Sequence, residues 1–386
     1  NSKDEELQNW ILEDGSESID VFNEGLAAGT YYLKLYVEDG YVDAATNNYG
    51  LRILQATSDF VEKESNDDPA TATWMTLGRY YTGFTDADAD DIYKIKTTAN
   101  GKLTIRGTYS QNVEMNYILV DSNFEAIEDW TLEADPEDDG SVYNLFTVGV
   151  KAGTYYLVVT HDYEYDEYYN EEYMAQAIFT ADNFAEQENN ETNITATPIQ
   201  LKRTFNGMMS MEADVDTYKV YLPCTANITL SMSQARGTAF KATIYNSSNN
   251  PVKTLYTTKG TSSLVSLGNV SLAKGTYYVK VEYYSGSSDQ VPYKLHLQPK
   301  VIWGKIEYRY GMSGKTVALT TAKVYKIVNG RYTYVKSVAK GSESAVYGTD
   351  KYGYRLGNGL YMKKDSTVRY DLVPAWVKNN YYLLNR

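Results

Sequence analysis

Hydrophobic and polar residues alternate along most of this chain with a period of two, the spacing of strands that bury one face. Lys102-Leu103-Thr104-Ile105-Arg106-Gly107 and Asn227-Ile228-Thr229-Leu230-Ser231-Met232 show the pattern plainly, and Tyr93-Lys94-Ile95-Lys96 and Tyr218-Lys219-Val220-Tyr221 repeat it. Another strand is predicted from Gly153 through Leu157-Val158-Val159, with the glycine placed where the chain turns into it. A last strand begins at Tyr49, Tyr173 or Tyr293. Roughly eight such strands in about 120 residues, separated by turn chemistry and without a convincing helix, predict an all-β antiparallel sandwich or jelly roll.

The strands recur because the sequence does. The phrase Ala28-Gly29-Thr30-Tyr31-Tyr32 returns as Ala152-Gly153-Thr154-Tyr155-Tyr156 and as Lys274-Gly275-Thr276-Tyr277-Tyr278. Trp10-Ile11-Leu12-Glu13 is echoed by Trp130-Thr131-Leu132-Glu133. An opening phrase, F-x-E-x-E-x-N-[DE], occurs at Phe60 and again at Phe184. Three closings against two openings predict one half unit, 1–58, and two whole ones, 59–182 and 183–300. By the period, roughly 65 residues are expected ahead of Asn1.

Residues 301–386 break the repeat. Val324-Tyr325-Lys326-Ile327-Val328 and Arg331-Tyr332-Thr333-Tyr334-Val335 flank Asn329-Gly330, which predicts a hairpin with a type I′ turn. Lys340-Gly341 and Gly357-Asn358-Gly359 punctuate further short strands, so a small basic β-barrel or β-roll is expected there. Charge divides the chain at the same place. The tail carries 15 Lys and Arg against 5 Asp and Glu, a net +10, and the total of −14 leaves −24 for the rest. Such asymmetry points to different partners for the two parts, cations for the first and polyanions for the second. The large upstream negative charge argues against nucleic acid as that polyanion.

Carboxylates gather at the head of each unit. Glu62, Glu64, Asn66 and Asp67 are followed by Asp86, Asp88, Asp90 and Asp91 before the strand at Ile92. Glu186, Glu188, Asn190 and Glu191 are followed by Asp214 and Asp216 before Tyr218. Hard cations with flexible coordination take six to eight oxygens from such groups, so calcium is the expected ligand. The same pattern resembles the bacterial pre-peptidase C-terminal domain, a small β-sandwich appended to secreted peptidases. The resemblance covers residues 1–300. It implies calcium held by Glu62, Glu64, Asn66, Asp67, Asp88, Asp90 and Asp91, and by Glu186, Glu188, Asn190, Asp214 and Asp216.

The tail is similar to small SH3-like or S-layer-associated modules of Gram-positive surface proteins, through Lys323-Val324-Tyr325-Lys326, Lys340-Gly341, Val346-Tyr347-Gly348-Thr349 and Tyr354 to Tyr361. That likeness implies an anionic cell-wall polymer as partner, with Lys326, Arg331, Lys336, Lys340, Lys351, Arg355, Lys363, Lys364 and Arg369 as contacts. The stretch from Asp162 to Tyr173 is dense in tyrosine and acid. Tyr163, Tyr165, Tyr168 and Tyr169 there offer contact area at low entropy cost for a protein or polysaccharide ligand.

Catalysis finds little support. The two histidines, His161 and His296, lie in non-equivalent places, and no zinc-protease, nucleophile-elbow or phosphate-loop motif is present. A single cysteine, Cys224, excludes an internal disulfide, and its place after Leu222-Pro223 predicts packing at a strand end. No apolar run approaches a membrane span. The expectation is a non-catalytic, calcium-stiffened spacer of a secreted or wall-attached bacterial protein. The alternatives are accessory domains of a peptidase encoded upstream, or an adhesin using the tyrosine-rich loop.

Overall fold

The computed structural model describes residues 6–7, 22–36, 49–85, 90–108, 110, 112–135, 137, 140–161, 170–210, 214–234, 237–258, 263–286 and 290–385. They form two compact units, Asn1–Glu188 and Asn189–Arg386. Both are built from largely antiparallel sheets, as the alternation predicts, with a short parallel edge strand in each, Thr73–Trp74 and Thr197–Pro198.

In the first unit a five-stranded sheet runs, in spatial order, Thr73–Trp74, Asp91–Thr97, Gly153–His161, Met115–Val120 and Ala126–Leu132. A four-stranded sheet of Tyr80–Phe84, Glu172–Ala181, Gly101–Thr108 and Val142–Val150 completes the sandwich. Inward positions fall on alternate residues of Gly101–Thr108, which puts Leu103 and Ile105 wholly in the core with Ile95, Met115 and Leu157. Each such aliphatic side chain contributes about 1.5–3 kcal/mol by leaving water. The second unit repeats this order. Its five-stranded sheet is Thr197–Pro198, Val215–Leu222, Gly275–Ser285, Ala239–Asn246 and Pro251–Tyr256. Its four-stranded sheet is Thr204–Met209, Val291–Lys300, Ala226–Gln234 and Val265–Leu272.

The recurring Gly-Thr-Tyr phrase has a local cause. In all three copies the first tyrosine hydroxyl reaches back four residues to a backbone carbonyl. Tyr31 donates to Ala27 at 2.7 Å, Tyr155 to Lys151 at 3.0 Å and Tyr277 to Ala273 at 3.2 Å. The ring thus pins the turn from which the strand departs. In the whole repeats that strand lies between two partners, as Gly153–His161 does. Residues 22–36 keep the turn but form no strand beyond an isolated bridge from Leu26 to Glu64.

Each opening phrase docks on the closing half before it. The Glu64 amide donates to the Gly25 carbonyl at 2.8 Å, and the Glu188 amide donates to that of Gly149 at 3.0 Å. Only glycine fits. A Cβ on Gly25 would lie 2.5 Å from Glu62 Cγ, and one on Gly149 would lie 2.2 Å from the Glu186 carbonyl oxygen. In the last repeat the register that pairs Lys102 with Gly149 pairs Asn227 with Ser271 instead.

The tail forms a seven-stranded antiparallel sheet in the order Arg331–Val338, Ala322–Val328, Leu360–Met362, Gly353–Leu356, Glu343–Asp350, Gly314–Ala318 and Val368–Leu372. The expected hairpin is there, with φ of 49° at Asn329 and 74° at Gly330. A helix, Ala375–Leu384, was not anticipated; it follows Pro374 and buries Val377 and Leu384. Cys224 is buried with its thiol toward the Asn380 carbonyl, which is packing at a strand end. Among the described residues no helix is long and apolar enough to cross a membrane.

Candidate metal centre

The carboxylates of the first opening phrase converge with a group from the half repeat. Oxygen atoms of Glu24, Glu62 and Glu64 lie within 4.8 Å of one another. Glu62 is buried, because its strand-like segment is drawn under the sheet by hydrogen bonds to Thr82 and from Phe84, whose amide donates to Glu62 Oε1 at 2.6 Å. Two tyrosines close the floor. Tyr173 donates to Asp91 Oδ2 at 2.6 Å and shares a 2.8 Å hydrogen bond with Tyr93, whose hydroxyl lies 3.3 Å from Glu62 Oε2. Asn66 is fully buried and accepts the Ile92 amide at Oδ1, while its Nδ2 has no hydrogen-bond partner. The Asn66 amide in turn donates to Glu64 Oε2 at 3.1 Å.

The second unit holds the same arrangement. Tyr293 donates to Asp216 Oδ2 at 2.6 Å, and Tyr218 and Tyr293 share a hydrogen bond of 2.6 Å. Asn190 accepts the Thr217 amide at 2.8 Å and donates to Asp216 Oδ1 at 3.2 Å. Room for the second tyrosine of each pair comes from a glycine on the facing strand. A Cβ on Gly83 would meet Tyr173 Cζ at 2.2 Å, and one on Gly207 would meet Tyr293 Cζ at 2.2 Å.

Burial without cationic relief raises these acids. The Glu62 carboxyl is pushed up to about 11, first by burial and then by the charges of Asp91 and Glu64. Asp91 is raised well above the carboxylate range by burial and by Glu64, against the opposing hydrogen bond from Tyr173. Asp214 is raised by burial although the Ser210 amide donates to it. A protonated pair or a bound cation each relieve such crowding.

The expected ligand residues are found in both units. Glu62, Glu64, Asn66 and Asp91 come together in the first unit, and Asn190 and Asp216 in the second. Glu186 is buried at the close of the first unit, where Glu188 makes its bond to Gly149. Asp67, Asp90 and Glu191 are exposed, and Asp214 caps its own loop. Asp88 lies outside the described residues, as do Tyr163, Tyr165, Tyr168 and Tyr169. Asp91 and Asp216 are structural equivalents, each taking the tyrosine hydroxyl. The residues present fit a hard divalent cation because the charged groups that converge are carboxylates, with the oxygens of Glu24, Glu62 and Glu64 within 4.8 Å of one another. Glu24 and the four tyrosines were not anticipated as site residues, although Tyr173 and Tyr293 stand at matching places in the repeat.

Comparison with known proteins adds little. No family model matches the chain and no curated protein does. Among solved structures it is similar to the PBSX exported protein XepA at 11% identity and a TM-score of 0.18, over 57% of this chain and 82% of that one. It is also similar to tripeptidyl peptidase 2, at 10% identity and a TM-score of 0.21 over 81% and 32% of the two chains. A Bacteroides uniformis beta-glucuronidase 2 is similar at 10% identity and a TM-score of 0.13, over 55% and 26%. Scores this low carry no argument about function.

On the tail, the expected polymer contacts lie in different settings. Lys363 sits 5.1 and 4.5 Å from the ring centres of Tyr325 and Tyr332, and Lys351 sits 5.0 Å from that of Tyr352. Tyr325, Tyr332, Tyr352 and Tyr361 form one edge-to-face chain that these two lysines flank. Arg355 donates to the Tyr347 carbonyl, and Lys364 lies over Tyr354. Arg369 is paired with Asp371 at 2.8 Å, which removes it as a free cation. Lys326, Arg331, Lys336 and Lys340 are exposed.

Proposed function

We propose that this chain is a non-catalytic, calcium-stiffened spacer of a secreted or cell-wall-associated bacterial protein, ended by a basic module that holds an anionic surface polymer. The observation that carries the reading is the recurrence, in two sandwiches, of a buried aspartate and asparagine under a hydrogen-bonded tyrosine pair. Recurrence in register separates these groups from ordinary surface acids. Glu24, Glu62, Glu64, Asn66 and Asp91 would hold calcium in the first unit, and Asn190 and Asp216 would contribute in the second. The ion supplies positive charge where the fold crowds carboxylates, so that the opening phrase is fixed on the sandwich instead of being repelled by it. The basic tail, with its lysine-flanked tyrosines, supports attachment to a polyanion.

A thermal melt of the full chain in calcium, in chelator and in magnesium tests this. A ligand that binds only the folded state stabilises it by about 2.7 kcal/mol at a hundredfold excess over Kd. The expected result is a calcium-specific rise in Tm of several degrees that Glu62→Gln with Glu64→Gln diminishes by removing the first unit's share. Equal melts in all three solutions would mean that protons and not calcium relieve the buried carboxylates.

A further inference from the structure

The second unit departs from the repeat at one turn. The turn Thr76-Leu77-Gly78-Arg79 of the first sandwich is matched by Gln200-Leu201-Lys202-Arg203 in the second. The two turns make the same hydrogen bond to the neighbouring strand, Gly78 to the Ala177 carbonyl at 2.8 Å and Lys202 to that of Leu297 at 2.9 Å. Both residues are left-handed, with φ of 81° at Gly78 and 67° at Lys202. Glycine takes that conformation freely, whereas a lysine there costs about 1–2 kcal/mol. Strain kept in one copy and avoided in the other asks what the side chain does.

Lys202 lines a cavity of about 290 Å³ together with Lys300, Arg309, Tyr308, Tyr310 and Tyr381. The hydrogen-bond partner of Lys202 there is a neutral amide oxygen, Asn385 Oδ1 at 2.5 Å, and burial lowers its pKa. Among the described residues neither Lys202 nor Lys300 has a carboxylate within 4.0 Å, and Arg309 lies 4.0 Å from Glu307. Among the described residues of the lining, three cations stand against one acid. The rings supply a second kind of surface. Tyr381 stands edge-on to buried Tyr308 at 5.3 Å and lies nearly parallel to Tyr310 at 6.5 Å, while Tyr310 is 72% exposed.

We infer that this cavity binds a carboxylate-bearing monosaccharide. Small-molecule sites begin at about 300 Å³, which suits one sugar ring and not a longer segment. The electron-rich tyrosine faces attract the polarised C–H face of a sugar. The cations take the carboxylate, and Gln298 and Asn385 in the same lining offer hydrogen bonds to hydroxyls. A bare phosphate would leave the rings unused, and a neutral sugar would leave the cations unused. None of these cations is among those assigned to the surface polymer, so the site stands whether or not that attachment holds.

Calorimetric titration of the full chain with galacturonate, galactose and inorganic phosphate tests the inference. Galacturonate is expected to bind at least about tenfold more tightly than either control. Lys202→Gly restores the residue of the first sandwich, so it relieves strain and keeps the fold while weakening galacturonate by about tenfold. Arg309→Gln, at a position with a largely exposed side chain, weakens it similarly. Tyr310→Ala weakens galacturonate and leaves phosphate unchanged. Galacturonate binding no better than galactose or phosphate overturns the proposal. So does unchanged binding in Lys202→Gly with a lower Tm, which would make Lys202 only a tie to the terminal helix.

Discussion

The first sandwich and the tail both bury carboxylates, and they treat them in opposite ways. In the tail, Glu343 sits 2.8 Å from Lys315 Nζ, whose side chain and that of Glu343 keep 6% and 11% exposure. Lys315 also lies 4.6 Å from the centre of the Trp303 ring and donates to its carbonyl. Burial alone would raise Glu343, but the Lys315 ammonium and the Lys305 amide hold it below the usual carboxylate range. In the sandwich the neighbours of Glu62 are Asp91, Glu64 and tyrosine hydroxyls, and burial wins. A buried acid needs a partner. The tail encodes that partner as a lysine, and the sandwich leaves it to come from solution as a proton or a metal ion.

The largest expected effect follows from those opposite signs. In chelator, Glu62 and Asp91 bind protons more tightly folded than unfolded, so their contribution is full below the unfolded carboxylate range of about 4–4.5. It is lost as pH rises toward the folded value near 11 for Glu62. Glu343 has a depressed folded pKa, so its contribution is present above that range and is lost as pH falls through the folded value. Hydrogen exchange across pH should therefore loosen Asp91–Thr97 in base and Gly314–Ala318 in acid. Calcium should flatten the first response and leave the second unchanged. The same slope in both strands would break the comparison.

Next in size is Lys315→Met, which strands Glu343. Removing one member of a buried pair costs about 3–5 kcal/mol, and the low end applies because Glu343 keeps an edge in water. Denaturant unfolding should show the loss in the unit that contains the tail, with the first unit unchanged. A neutral result would mean that the pair is solvated and that the contrast between the two regions is one of degree.

The smallest is Gly83→Ala, which pushes a methyl against Tyr173. Overpacking of this kind costs about 1–3 kcal/mol, and it should also displace the hydroxyl that holds Asp91. The variant should lose the calcium response of the first sandwich while the second keeps its own. A calcium response retained in full would show that the tyrosine floor does not shape the site.

Much of the fold was legible because alternation and repetition are local properties. Leu103 and Ile105 announce a half-buried strand by their spacing alone, and Asn329-Gly330 announces its turn. The helix Ala375–Leu384 was hidden because Trp376, Tyr381 and Tyr382 suit strands as well, and its two buried positions lie seven apart. At the site, the glutamates and asparagines were visible as a repeated phrase. Choosing Asp91 among its neighbours required knowing which one meets Tyr173, and Tyr173 is 82 residues away. Glu24 was invisible for the same reason, since only the docking of one repeat on another brings it near Glu62. Lys202 was legible in principle as the odd residue at a duplicated turn, but sequence alone does not say that the turn is left-handed.

The glycine seat under each opening phrase has a consequence for how such an array grows. A closing half with Gly25 or Gly149 can accept a successor, because backbone meets backbone there without a side chain between. Ser271 puts a side chain at that place in the final sandwich, and the chain continues into a different module. One position thus distinguishes a closing half that seats an opening phrase directly on its backbone from one that carries a side chain there.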